Sequence, residues 1–310
     1  MINFPVGACP QDSTLWRKRY VKRDRLTPYL FVAAPLCMYS IWVIFPILQT
    51  IAVSFTKWDG MTKMKFVGLE NFKRLVSDNY FGLSLLNNIK WMVGFVVLSI
   101  PVGLIFAMLM DQKFPGHKVY KSLIYLPMAL SFVVIGQIWS WVLEPTGGVI
   151  NTFFRFIGLE QFAKPWLSDP KIVTYSLIMA ALWRQIPYAM ILFLAGLKNV
   201  SKELVEAAIV DGATPAQRFW YVILPALKPA MVIAITVNII DSLRAFDIVF
   251  VMTRGGPYYS SSVMANYMYV QAFHNYRMGY GASIAVVQFG ITLGFIIMYL
   301  LNVLKREERE

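Results

Sequence analysis

The sequence predicts an all-α integral membrane protein with six transmembrane helices and both termini on the cytoplasmic side. Three observations lead there. The first is composition. Of 310 residues, 57% are hydrophobic and only 15% charged, where a soluble domain carries about a quarter charged; the mean hydropathy is +0.55. The second is run length. A bilayer core about 30 Å thick takes roughly 20 apolar residues per helical span. Six such runs occur, at about 28–55, 87–110, 121–143, 172–197, 229–252 and 281–304. The third is charge placement. Arg17, Lys18, Arg19, Lys22, Arg23 and Arg25 directly precede the first run, and an excess of Lys and Arg marks the cytoplasmic flank of a span.

This orientation divides the chain into a basic cytoplasmic segment (1–27), a six-helix transmembrane domain (28–304) with a cytoplasmic loop at 198–228, and a cytoplasmic tail (305–310). With loop 111–121 on the same side, the cytoplasmic segments then hold 16 Lys and Arg and the opposite loops 10. The bias is uneven, because loop 56–84 alone has five. Lys90, Arg184 and Arg244 fall inside spans. The net charge of +12 flanks spans, so it reads as an orientation signal and no nucleic-acid partner is expected. Residues 1–27 hold no apolar region before the basic cluster, so no cleaved signal peptide is expected. Cys9 and Cys37 imply neither a disulfide framework nor a metal site.

The loops have elements of their own. In Gly68–Val76, Leu69, Phe72 and Val76 share one helical face. That spacing predicts a short helix lying in the interface or packed as a cover on the spans. Gly147 and Gly148 mark a turn, and the aromatic run from Phe153 to Trp166 suggests a second interfacial element. Thr253–Pro257, TRGGP, is a turn where the fifth span ends.

Loop 198–228 is more ordered than a connection needs to be. Ser201 is a natural N-cap, with Glu203 and Glu206 in the first turns. Gly212 is placed to end that helix in the left-handed conformation. Thr214 caps a second helix, with Pro215 at its first position and Gln217 completing a capping box. The second helix is expected to end before Pro225. Two short helices joined by a glycine elbow can pack beneath the bundle or dock a soluble partner.

The residues of this loop carry a resemblance. Glu206-Ala207-Ala208, Asp211-Gly212-Ala213, Phe219 and Leu224-Pro225 resemble the EAA loop of binding-protein-dependent ABC importers. The likeness is strongest to sugar-importer membrane subunits of the maltose and glycerol-3-phosphate type. Phe66–Phe72, Ala245–Asp247 and Thr253–Pro257 look like the same family. The resemblance implies a type I importer permease fold in the bacterial cytoplasmic (inner) membrane. It implies a second, homologous permease subunit, two ATPase subunits carrying ATP and Mg, and an extracytoplasmic solute-binding protein. It gives the loop the task of coupling ATPase closure to the membrane helices. The chain itself has no G-x-x-x-x-G-K-[ST] phosphate loop, and His117 and His274 lie in opposite loops. No catalytic centre, metal or cofactor is therefore expected on it.

Polar residues inside spans default to functional roles. The fourth run holds Arg184, Gln185 and Tyr188; the fifth holds Asn238, Asp241, Ser242 and Arg244. On one helix, Asn238, Asp241 and Ser242 share a face, and Asp241, Arg244 and Asp247 form a ladder at i+3 steps. Sugars take aromatic faces and hydroxyl or carboxylate partners. The resemblance places sugar-lining positions at Gln185, Tyr188, Asn238, Asp241 and Ser242. Only the tyrosine matches the family in kind; most of the others match in position alone, which suggests a different substrate. The function implied is carbohydrate import. The alternative is a secondary transporter driven by an ion gradient through the charged ladder.

Overall fold

In a computed structural model, residues 27–112 and 114–307 are described. The basic segment before residue 27, with Cys9 and the absence of a cleaved signal, lies outside them, as do Lys113 and the last three residues of the tail. The chain clusters into two compact units that meet between Ala52 and Val53.

The described residues of the first unit form one helical run: α1 (Thr27–Tyr39), a π-turn (Ser40–Ile44) and the start of α2 (Phe45–Ser54). The amide of Phe45 reaches back five residues to Ser40, one position ahead of Pro46. Proline has no N–H to give and crowds the carbonyl four residues back. Widening the preceding turn removes both problems.

The second unit opens with a hairpin, β1 (Thr56–Lys57) and β2 (Lys65–Phe66), antiparallel with Thr56 opposite Phe66. Then come α3 (Glu70–Val76) and the long run of α4 (Asn79–Gly94), a π-turn (Phe95–Ser99) and α5 (Ile100–Asp111). Pro101 again sits at the second position after a π-turn. Next are α6 (His117–Tyr125) with a 3-10 turn (Leu126–Ala129), α7 (Phe132–Val142), α8 (Val149–Phe156) and α9 (Val173–Leu197). The loop after α9 holds α10 (Lys202–Val210), α11 (Pro215–Arg218), a π-turn (Phe219–Ile223) and α12 (Leu224–Ala226). The chain ends with α13 (Lys228–Leu243), α14 (Asp247–Met252), α15 (Met264–Tyr269) with a π-turn (Val270–His274), and α16 (Met278–Glu307).

Among the described residues, four helical runs are long and apolar enough to span a bilayer: Tyr29–Ser54, Asn79–Asp111, Val173–Leu197 and Met278–Tyr299. Two bent pairs, each counted as one span, bring the number to six, and both depart from the straight runs expected. His117–Ala129 and Phe132–Val142 meet at 102°. The break is at Leu130 and Ser131, both extended, where the Ser131 hydroxyl caps α7 through the Val134 amide. Pro215–Ala226 and Lys228–Leu243 meet at 68°. The second helix of the loop therefore does not stop before Pro225. The amide of Leu224 bonds to Phe219, five residues back, and this π-turn carries the helix through the proline. The expected fifth span at 229–252 is interrupted after Leu243.

Helix α9 is the axis of the unit. It is apolar on nearly every side, as a helix surrounded by others must be. Towards its start, Leu177, Ile178 and Ala181 pack with Trp91, Phe95, Ile135 and Val249. Towards its end, Ala189, Met190 and Phe193 pack with Ile100, Leu104, Ala107 and Leu227. A Cβ at Gly103 would stand 2.7 Å from Ala189 Cβ, so glycine sets how closely α5 and α9 approach. A third cluster joins Leu75, Phe81, Met264, Tyr267, Tyr280 and Ile284. It holds α3 through Leu75, while Leu69 and Val76, on the face the spacing picked out, are exposed.

Candidate functional site

Loop 198–228 is built from local capping. The Ser201 hydroxyl accepts from the Leu204 amide at 3.3 Å, which seats α10. Asp211 closes the helix, and Gly212 has φ +77°. A Cβ at Gly212 would meet nothing within 4 Å, so the left-handed backbone, not space, requires glycine. The Ala213 amide bonds back to the Ala208 carbonyl at 2.9 Å. Thr214 N–H donates to Gln217 Oε1 at 2.8 Å, and Gln217 N–H to Thr214 Oγ1 at 3.3 Å. These bonds fix α10 against α11.

Only one arm of the hairpin is anchored. Phe219, Ile223 and Leu224 pack on the cluster of Ile100, Leu104 and Phe193. Helix α10 buries no residue. Leu204, Ile209 and Val210 are exposed, as are Trp220 and Tyr221 on the next turn. Glu206, Ala207, Asp211, Gly212 and Pro225 are also exposed, and Ala208 and Ala213 half-buried. The loop presents a rigid helix with small, apolar and acidic residues to whatever lies outside the chain.

The polar residues of the fourth and fifth runs fall into two sets. Arg184, Asp241 and Arg244 line a cavity of about 280 Å³ together with Trp91, Phe132 and Phe246. The Arg184 guanidinium lies over the Phe132 ring, 4.4 Å from its centre, and its Nε is buried without a partner. Gln185 donates to Asp241 Oδ2 at 3.2 Å and so orients that carboxylate. Asn238 and Ser242 are fully buried in helix contacts. Asn238 accepts from the Ser99 hydroxyl at 2.7 Å and donates to the Ala234 carbonyl, while Ser242 bonds to Ile239 O. Tyr188 is half-buried and away from the cavity lining.

The expected ladder is not on one helix. Arg244 is the C-cap of α13, and Asp247 opens α14 after a break, so the i+3 spacing does not apply across it. Both nonetheless face the same cavity. The break frees the Leu243 carbonyl, which accepts from Gln288 at 2.8 Å. The aromatic lining from Trp91, Phe95, Phe132 and Phe246 was not singled out from the sequence. Trp91 and Phe95, four apart on a helical run, were the available signal.

Comparison with known proteins matches residues 99–310 to the family described as binding-protein-dependent transport system inner membrane component. A probable ABC transporter permease of Pyrococcus horikoshii is 37% identical over 93% of this chain and all of its own length. The trehalose/maltose transport system permease of Thermococcus litoralis is 29% identical over 93% of this chain and 97% of its own. Among solved structures, a bacterial ABC transporter involved in import of the acidic polysaccharide alginate superposes with TM-score 0.81. It covers 94% of this chain and 98% of its own at 21% identity, a likeness of fold.

Proposed function

This chain belongs to the family of binding-protein-dependent transport inner membrane components, and we propose that it is the permease subunit of an ATP-driven carbohydrate importer. Membership displaces the ion-gradient alternative. The single observation that carries the mechanism is the exposed helix α10, held on a glycine elbow by the anchored α11. In this reading a second, homologous permease completes the pathway. Two ABC ATPase subunits, holding ATP and Mg, receive the loop from the cytoplasmic side. An extracytoplasmic solute-binding protein delivers the sugar to the opposite face of the cytoplasmic membrane.

Glu206, Ala207 and Ala208 lie in the ATPase cleft, and the small residues let the two surfaces approach closely. Movement of α10 passes through Asp211-Gly212-Ala213 to α11, and through Phe219 and Leu224 to the packed faces of α5 and α9. The ATPase shifts the equilibrium because it binds one arrangement of the permease better than the other. The cavity supplies the polar contacts. Asp241, held by Gln185, accepts sugar hydroxyls, Arg184 and Arg244 donate, and Trp91 and Phe246 offer ring faces.

The test is ATPase activity of the assembled importer with its binding protein and a panel of sugars, for the native chain, Glu206→Lys and Gly212→Val. Sugar-stimulated hydrolysis is expected to collapse in both variants, or the ATPase subunits to dissociate. Native stimulation and uptake in both would refute the coupling role.

A further inference from the structure

We infer that the hairpin of β1 and β2, α3 and the start of α16 form a binding site for an anionic phosphate group at the level of the lipid headgroups. The site lies on the membrane boundary opposite loop 198–228. The starting point is the charge anomaly in the sequence. Loop 56–84 is as basic as a cytoplasmic segment, yet six spans put it on the other side. Orientation does not explain these charges, and the structure gathers them.

Lys57, Lys63, Lys65, Arg74 and Arg277 line one pocket of about 350 Å³, against two carboxylates, Asp59 and Glu70. Four of the five basic residues of loop 56–84 are in it. Lys57 stands directly opposite Lys65 in the two-residue ladder. Like charges placed so oppose the pairing, and a bound anion between them turns that cost into attraction. The two carboxylates leave the five cations in excess. Asp59 Oδ1 is committed to its own turn, accepting from Met61 N at 3.0 Å and from Thr62 N and Oγ1, each at 2.8 Å. Among the described residues, no ion pair is made by any of the five cations. Arg74 instead lies over the Tyr280 ring at 5.1 Å.

The pocket is held in place. The Asn71 side chain donates to the carbonyls of Ser54 and Thr56 at 2.8 and 2.9 Å. Gly279 N–H donates to Trp58 O at 3.2 Å, and a Cβ at Gly279 would run into the Thr56 carbonyl. That close approach brings Arg277 to the hairpin. Position fixes the kind of anion. Lys57 is three residues past the end of α2, and Arg277 immediately precedes α16, both membrane-length runs. Trp58 and Tyr276 flank them in the pocket, as aromatics do at headgroup depth. A phosphate diester of a lipid reaches this level, and so does inorganic phosphate from solution. The pocket shares no lining residue with the cavity of Arg184 and Asp241.

The experiment uses the assembled importer, stripped of lipid and titrated with phosphatidylglycerol, phosphatidylcholine or inorganic phosphate, with binding read by native mass spectrometry. Two variants are compared with the native chain: Arg277→Gln, and the combination Lys57→Gln, Lys63→Gln, Lys65→Gln. Phosphatidylglycerol is expected to bind about tenfold or more weakly to the triple variant and measurably more weakly to Arg277→Gln, with phosphatidylcholine unchanged. Displacement of phosphatidylglycerol by inorganic phosphate identifies a site open to both sources; failure to displace it identifies the lipid. Native binding of phosphatidylglycerol and inorganic phosphate in both variants overturns the proposal. So does an equal loss in Lys198→Gln, Lys202→Gln, which would reduce the effect to overall charge.

Discussion

The two ends of α9 lead to regions held together in opposite ways. At its start, side chains bond across long stretches of sequence. Asn87 donates to the carbonyls of Ser260 and Ser262 at 2.8 and 2.9 Å. Asn88 donates to Ser242 O at 3.2 Å and accepts from Met264 N at 2.8 Å. Asp78 accepts from the hydroxyls of Tyr267 and Tyr280 at 2.6 and 2.5 Å while capping α4 through Tyr80 N. At its other end, the side-chain hydrogen bonds of loop 198–228 join residues no more than three apart, and apolar side chains face outward. The first region is tied together by its own side chains. The second is a finished shape with an unfinished surface, which is what a coupling element for another subunit requires.

The largest expected effect breaks the comparison at the loop. Gly212→Val forces a β-branched residue into φ +77° and should abolish sugar-stimulated uptake in membrane vesicles while the chain still inserts. Next comes the end tied by its own side chains. Asp78→Ala removes a helix cap and the shared acceptor of two tyrosines, and should cost about 2–4 kcal/mol in denaturant unfolding. Uptake per folded molecule should change little. Gly103→Ala places a Cβ against Ala189 and should cost about 1–3 kcal/mol by overpacking, read by the same unfolding measurement.

A smaller effect sharpens the comparison through pH. Burial pushes the Asp78 carboxyl up, but the two tyrosine hydroxyls and the amides of Tyr80 and Phe81 outweigh it and hold it below the usual carboxylate range. A carboxylate depressed in the folded state stabilises fully above its unfolded value, near 4, and the gain is lost as pH falls through the folded value. Unfolding midpoints should therefore fall on acidification, and Asp78→Asn should flatten that slope. The smallest effect is at the loop again. Ser201→Ala should cost about 1 kcal/mol of α10 stability, seen as faster amide exchange in residues 202–205.

What was legible in the sequence follows the same division. The caps at Ser201 and Thr214, the elbow at Gly212 and the capping box with Gln217 are local chemistry, and each stands where the spacing put it. One proline misled. Pro225 reads as a stop, but Pro46, Pro101 and Pro225 each follow a π-turn that carries the helix onward, and turn widening has no signature in residue spacing. The cavity was half legible. Arg184 and Asp241 stood out as charges in apolar runs, whereas Asn238 and Ser242 are spent on helix contacts that depend on residues far away in sequence. The break after Leu243 was hidden because Asp241, Arg244 and Asp247, the charges around it, read as a ladder along one continuous helix.

The central claim is that loop 198–228 is completed by the ATPase subunits, whereas the opposite end is held by the chain's own side-chain bonds. Hydrogen–deuterium exchange tests it directly, comparing the complete importer with the same complex stripped of its ATPase subunits. Amides of 202–210 should gain strong protection with the ATPases present, while those of 262–284 stay equally protected in both. Equal protection of 202–210 with and without the ATPases would contradict the account.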